Sequence, residues 1–271
     1  NSASEVFSPY ALDFDGTEYI DLNPAVSTSN EYTVSAWLNS NDLTSSGAGY
    51  IVGTSDNKGI ALFEGGQGDA GKFYYWNGSN AITISSTAIT INNWFNVIFI
   101  INETANEIKF YLNGNLDKTT TVNSISGNIN KIASFGGHHI NAKLSNVSIF
   151  NTALTDGTGS TPNQISELYS SGKPSDLKTH SAASNLVSWW QLGANSSFNS
   201  QWTVLDEVGT SNGTSYGMAE NDLVNGPETT ANGLSSGMGS GDNVIGEAPY
   251  STANSLSIDM GVEARTDDTP N

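Results

Sequence analysis

The stretch 92–121, NNWFNVIFIINETANEIKFYLNGNLDKTTT, constrains the fold most, because it spells three consecutive β-strands and both of their turns. From Val97 to Ile101 apolar residues fill both alternating sets, Ile98 and Ile100 on one face and Val97, Phe99 and Ile101 on the other. That pattern predicts a central strand buried on two sides. The next run alternates, with Ile108, Phe110 and Leu112 inward and Glu107, Lys109 and Tyr111 outward. It ends in Asn113-Gly114, a pair that accepts the positive φ angles of a tight hairpin. A third strand returns through Leu116 towards Val122.

The rest of the first two-thirds reads the same way. Tyr32, Val34, Ala36 and Leu38 share one face of a strand, with Thr33, Ser35 and Trp37 on the other. Lys72 to Trp76 leads into Asn77-Gly78, a second hairpin signal; Tyr74 and Trp76 oppose Phe73 and Tyr75, so one aromatic pair is expected to be partly exposed. Asp13 and Asp15 share a strand face, with Asp15 expected to cap its own turn and Asp13 to be solvated. The glycine run 65–71 lacks the Gly-Lys-Ser/Thr ending and the helix of a phosphate loop. One short helix is predicted within 161–172, with Thr161 as N-cap, Pro162 in first position, Gln164 closing a capping box and Gly172 at its end, forming a lid over one end of the sandwich.

Four segments, taken in order, resemble laminin-G-like domains, the concanavalin A-like β-sandwich or jelly roll. They are Ala11 to Ile20, Tyr32 to Trp37, Trp94 with Tyr111-Leu112-Asn113-Gly114, and Leu144 to Leu154 leading into the helix. The resemblance covers roughly 10–172 and implies an all-β sandwich with one short helix. It also implies that Trp37 packs between the sheets. Such a fold hosts many activities and does not itself select one.

Charge narrows the partners. The sequence carries 27 acidic residues against 9 basic ones, a formal net charge of −18. A field of that sign repels phosphate backbones and anionic bilayers, so neither nucleic acid nor membrane is expected as a partner. With no cysteine and three histidines, no disulfide framework and no zinc site are expected; His138 and His139 are strand neighbours that point to opposite faces. No cofactor is expected, and calcium has no clear motif. No catalytic residue is assigned either. Glycan-cleaving relatives of the fold carry paired carboxylates in patterns such as E-x-D-x-x-E, whereas Glu103, Glu107, Glu167 and Glu207 stand isolated.

The domain reading is an N-terminal arm (1–9), a laminin-G-like sandwich (10–183), a strand and loop folding back on it (184–220), and an extended C-terminal assembly arm (221–271). The last segment is rich in Gly, Ser, Asn and Thr with too few apolar groups for a core of its own, which points to ordering by a neighbouring subunit. The order of pieces at 171–177, 189–193, 206–214 and 263–270 resembles structural proteins of marine bacteriophages, especially of cyanophages. That resemblance implies a non-enzymatic virion-surface protein, a capsid decoration or fibre component that forms homo-oligomers and contacts the major capsid protein or other virion proteins. The alternative is a carbohydrate-binding module, calcium-dependent in one version, that holds a cell-surface glycan on exposed aromatics and amides: Trp76, Asn77, Asp69 and Asn80.

Overall fold

The computed structural model describes residues 8–45, 47–65, 69–122, 127–157 and 160–227. In chain order its strands begin with β1 (Tyr10–Asp15), β2 (Tyr19–Val26), β3 (Glu31–Ser40), β4 (Gly47–Thr54), β5 (Gly59–Gly65), β6 (Phe73–Trp76), β7 (Ala81–Thr83), β8 (Phe95–Asn102), β9 (Glu107–Leu112) and β10 (Asn115–Thr121). After these come β11 (Ile129–Ile132), β12 (Ser134–Phe135), β13 (His138–His139), β14 (Asn141–Phe150) and the helix α1 (Gln164–Tyr169). The chain continues through β15 (Leu186–Trp190), β16 (Ser197–Phe198), β17 (Trp202–Val204), β18 (Asn212–Tyr216) and β19 (Leu223–Asn225).

Two antiparallel sheets form a sandwich. Sheet A runs β10-β9-β8-β3-β14-β1-β19, with β15 also paired to β14; sheet B runs β16-β17-β18-β2-β11-β4-β5-β6-β7. Alternation decides what lies between them. Val34, Ala36 and Leu38 of β3 and Val97, Phe99 and Ile101 of β8 meet Ile20, Ile60, Leu62, Phe73 and Tyr75 of sheet B in one core. Phe73, Phe99 and Phe110 pack ring against ring there, with centroids 5.0 to 5.7 Å apart. Each such buried ring contributes on the order of 2 kcal/mol of apolar transfer free energy.

The second face of β8 is buried as well, which explains its two-sided apolar pattern. Ile98, Ile100, Tyr111, Phe150, Leu186 and Trp189 lie on the outer face of sheet A under Ile165 and Leu168 of α1 and Leu177 beyond it. The helix therefore covers the outside of sheet A rather than one end of the sandwich. Tyr111 faces outward as the alternation predicts, but the helix covers it there, and it donates its hydroxyl to Asp156 at 3.2 Å.

Other expectations are corrected locally. The helix starts two residues later than its sequence signals suggest: Asn163 is the N-cap, its side chain accepting the Ser166 N–H, and Gln164 instead accepts the Thr155 N–H at 3.0 Å. Ser170, not Gly172, takes the left-handed C-cap, at φ 42°. Asp15 does cap its turn through Thr17 at 2.8 Å; Asp13 is only partly solvated, since it accepts from the Asn41 amide at 2.7 Å and faces Lys143 at 3.5 Å. Trp37 does not pack between the sheets. Tyr32 to Leu38 give their even positions to the inter-sheet core, so Trp37 occupies the outer face of sheet A.

Residues beyond the helix join both sheets. Val147 to Phe150 pair with β15, and Tyr19 to Asn23 pair with β18, which buries Trp189 and Trp190. The stretch expected to be an arm from residue 221 opens with a sandwich strand, since Leu223–Asn225 pairs with Tyr10 to Leu12. Its remainder from residue 228, like residues 1–7 of the N-terminal arm, lies outside the described residues.

Candidate functional site

A cleft of about 210 Å³ opens on the helix side of sheet A. Its lining converges from five places: Trp37 of β3; Asn92, Asn93 and Trp94 ahead of β8; Asn113 in the β9–β10 turn; Tyr169 and Gly172 at the end of α1; and Pro227 after β19. Among the described residues lining it there is no Asp, Glu, Lys, Arg or His.

Local structure fixes each group. Asn92 and Asn113 sit at φ 59° and 50°, the left-handed region that Asn tolerates better than most residues. The Asn92 N–H donates to the Ser40 carbonyl at 2.9 Å and its side chain is left uncommitted. Asn93 spends its amide donor on Thr90 Oγ1 and the Ile91 carbonyl, at 3.1 and 3.0 Å, leaving Oδ1 open. Asn113 does the converse: Oδ1 accepts the Asn96 N–H at 2.9 Å, and Nδ2 remains. Tyr169 stacks on Trp37, centroids 6.1 Å apart and planes 19° from parallel. Gly114 lies beneath it at φ 78°, where a Cβ would come within 3.2 Å of the Tyr169 Cβ. The hairpin Asn-Gly pair therefore serves both the turn and the close approach of the tyrosine.

Trp37 is the unusual member. It is 4% exposed as a residue and lines the cleft; no acceptor for its indole N–H is found among the described residues, and Nε1 is not one of the buried side-chain atoms left without a partner. Three other buried tryptophans spend theirs: Trp189 on Asn146 Oδ1 at 3.2 Å, Trp190 on the Ser211 carbonyl at 2.7 Å and Trp202 on the Ala219 carbonyl at 2.8 Å. Around Trp37 the outer face of sheet A also carries Asn39 Oδ1, Asn96 Oδ1 and Ser148 Oγ, each buried without a partner among the described residues. A small void beside Ser35, Trp37, Asn146 and Ser148 has room on the scale of one water molecule.

The residues singled out from sequence lie elsewhere. Trp76, Asn77 and Asn80 share the β6–β7 hairpin of sheet B, while Asp69 precedes the other end of β6. Trp76 is half-buried on the outer face of sheet B, packed beside Tyr50, Tyr74 and Phe63. Tyr74 lies 4.3 Å from Phe63 and 6.0 Å from Tyr50, centroid to centroid, and Phe135 stands 5.0 Å from Tyr50, so these rings are largely occupied with one another. Asn77 Oδ1 accepts from the Ser79 and Asn80 N–H groups at 3.0 and 2.8 Å, closing its own turn. Asp69 pairs with Lys72 at 2.9 Å. Trp76 and Asn80 have no side-chain hydrogen bond among the described residues, and Asn77 Nδ2 and Asp69 Oδ2 also remain uncommitted.

Two carboxylates are strongly raised, and neither lines the cleft. Burial pushes Glu18 up to about 7, against the lowering effect of the Asp15 N–H it accepts. Burial likewise pushes Glu64 up to about 7; its Oε1 accepts the Asn141 N–H at 2.6 Å. Among the described residues no group of three or more His, Asp or Glu could hold a metal ion.

Residues 14–158 match the family model of the concanavalin A-like lectin/glucanases superfamily, Laminin_G_3. A Bacteroides ovatus protein, whose description gives carbohydrate binding as a provisional function, superposes with a TM-score of 0.59 at 16% identity over 81% of this chain. The match takes in 60% of that protein's own length. The heptameric SAP-like pentraxin of Limulus polyphemus gives 0.48 at 16% identity, over 60% of this chain and 82% of its own. The binding domain of botulinum neurotoxin DC, crystallised with SialylT, gives 0.43 at 19% identity over 62% and 43%. No curated protein matches the chain.

Proposed function

This chain belongs to the concanavalin A-like lectin/glucanase superfamily, and from that premise we propose that it is a carbohydrate-binding module whose binding site is the cleft at Trp37. The observation that carries the reading is the convergence of three aromatic rings, Trp37, Trp94 and Tyr169, with the side-chain amides of Asn92, Asn93 and Asn113 on one cleft. Sugars present apolar C–H faces edged by hydroxyls that both donate and accept. Stacked rings suit the faces, and amides, indole N–H and phenol suit the hydroxyls.

The module is non-enzymatic in this reading. Glycoside cleavage needs two carboxyl groups flanking the bond, and the cleft lining offers none among the described residues. Display on a virion surface, held to the major capsid protein or to copies of itself through the C-terminal arm, is a separate proposal. Its support is the resemblance of the sequence pieces at 171–177, 189–193, 206–214 and 263–270.

A glycan array probed with the full chain tests the module, with Trp37→Phe and Tyr169→Phe as comparisons. Both variants keep a ring and lose one polar group, so the expected result is array binding that each weakens by roughly 3- to 10-fold, the scale of one hydrogen bond. Loss on Trp76→Ala with both cleft variants unaffected would move the site to the outer face of sheet B, and silence across the array would overturn the reading.

A further inference from the structure

Given the sugar-binding reading, on which this rests, the geometry points to a ligand class: we infer that the cleft takes a single uncharged sugar ring, without a metal ion. The uncommitted inventory is mixed and neutral. Trp37 and Trp94 offer indole N–H groups, Asn113 offers Nδ2, Asn93 offers Oδ1, Asn92 offers a whole amide, and the Tyr169 hydroxyl both donates and accepts. A carboxylate or sulfate on the ligand would be desolvated here against dipoles alone, with no Arg or Lys in the described lining to compensate. Lys173 follows Gly172 in sequence, but it is exposed and does not line the cleft.

The long-range field acts in the same direction. At −18 the full sequence repels anionic glycans before contact. A cation bridging protein to sugar hydroxyls needs oxygen ligands, carboxylates above all; the described lining has only amide, phenol and backbone oxygens. Size sets the length of ligand. At about 210 Å³ the cleft falls below the roughly 300–1,000 Å³ of sites for larger ligands, and it suits one ring, such as a chain end, with the remainder in solvent.

Titration calorimetry on the full chain separates this class from the parent reading. The probes are glucose, galactose, mannose and N-acetylglucosamine against sialyllactose and galacturonic acid, each with calcium and with EDTA, at pH 5, 7 and 9. The expected result is binding of one or more neutral monosaccharides with a Kd that changes less than 2-fold between calcium and EDTA and across the three pH values. Asn92→Gly, which suits the left-handed backbone and removes only the amide, should weaken that binding several-fold; Lys173→Ala should leave it unchanged. Binding of the acidic sugars alone, or binding lost in EDTA, overturns the class while leaving a sugar-binding module standing. No heat with any sugar, combined with a silent glycan array, overturns both.

Discussion

At the scale of residues, the structure separates polar groups that are spent from those that are not. The contrast among tryptophans is sharpest, with three indoles committed to protein acceptors and Trp37 open. Glu64 makes a different point, because it is a carboxyl held by one backbone donor in a buried place. Its folded-state pKa of about 7 stands above the ordinary 4.5. The folded protein thus holds a proton that the unfolded chain releases between those values, so stability is highest below about pH 4.5 for this group and falls as pH rises through 7. The loss is on the order of 3 kcal/mol for Glu64 by the 1.36 kcal/mol per pKa unit of linkage, and Glu18 acts in the same direction. Urea unfolding of Glu64→Gln, which keeps an acceptor for Asn141, should show a flatter decline between pH 5 and 8 than the parent chain; an unchanged slope would remove Glu64 from this role. Gly49 is a second sensitive point. A Cβ there would lie 2.5 Å from the Ile140 Cα and also clash with the Glu64 carboxylate, so Gly49→Ala should cost roughly 1–3 kcal/mol of overpacking, read as a lower urea midpoint.

At the scale of elements, strands were legible and the covering of their outer faces was not. The two-sided apolar run of β8 is explicit in the residues 97–101, and Asn113-Gly114 marks the β9–β10 turn because few pairs accept consecutive positive φ. The helix is legible as an element, but its caps were misassigned: Thr161, Pro162 and Gln164 all look like start signals, and only tertiary contact decides that Gln164 reaches Thr155. Alternation had already put Trp37 opposite Val34, Ala36 and Leu38; the family likeness argued it into the core, and the outer-face helix supplies the burial instead. Asn92, Asn93, Asn113 and Tyr169 are far apart in sequence, so their convergence depends on loop geometry that periodicity does not encode. Because Tyr169 closes α1, the helix and the cleft are coupled. Leu168→Ala should lower stability by about 2–5 kcal/mol through the cavity it leaves, and Asn163→Ala by about 1 kcal/mol through the lost cap. Both should weaken sugar binding more than substitutions on sheet B do, measured as Kd beside urea midpoint.

At the scale of the whole molecule, the sandwich draws on residues well past the helix. Sheet A takes β15 and β19, and sheet B takes β16, β17 and β18, so removing everything after residue 183 would strip strands from both sheets. Composition alone had placed the arm at 221, because Leu223 and Val224 are isolated apolar residues in a polar stretch; the pairing that recruits them is with β1, at the opposite end of the chain. The assembly proposal is tested at this scale by light scattering. A chain ending at Pro227 keeps every described strand, and it should be monomeric where the full chain is a defined oligomer; equal masses for the two would contradict an assembly role for the arm.

The measurement that bears most directly on the central claim is a ¹⁵N-labelled spectrum of the tryptophan indole N–H groups as a neutral sugar that binds on the array is added. The chain has six tryptophans, and each indole reports its own surroundings. The Trp37 and Trp94 resonances should move with saturation while those of Trp189, Trp190 and Trp202, committed to Asn146, Ser211 and Ala219, stay in place. A response confined to Trp76, with Trp37 and Trp94 unmoved, would contradict the cleft as the binding site.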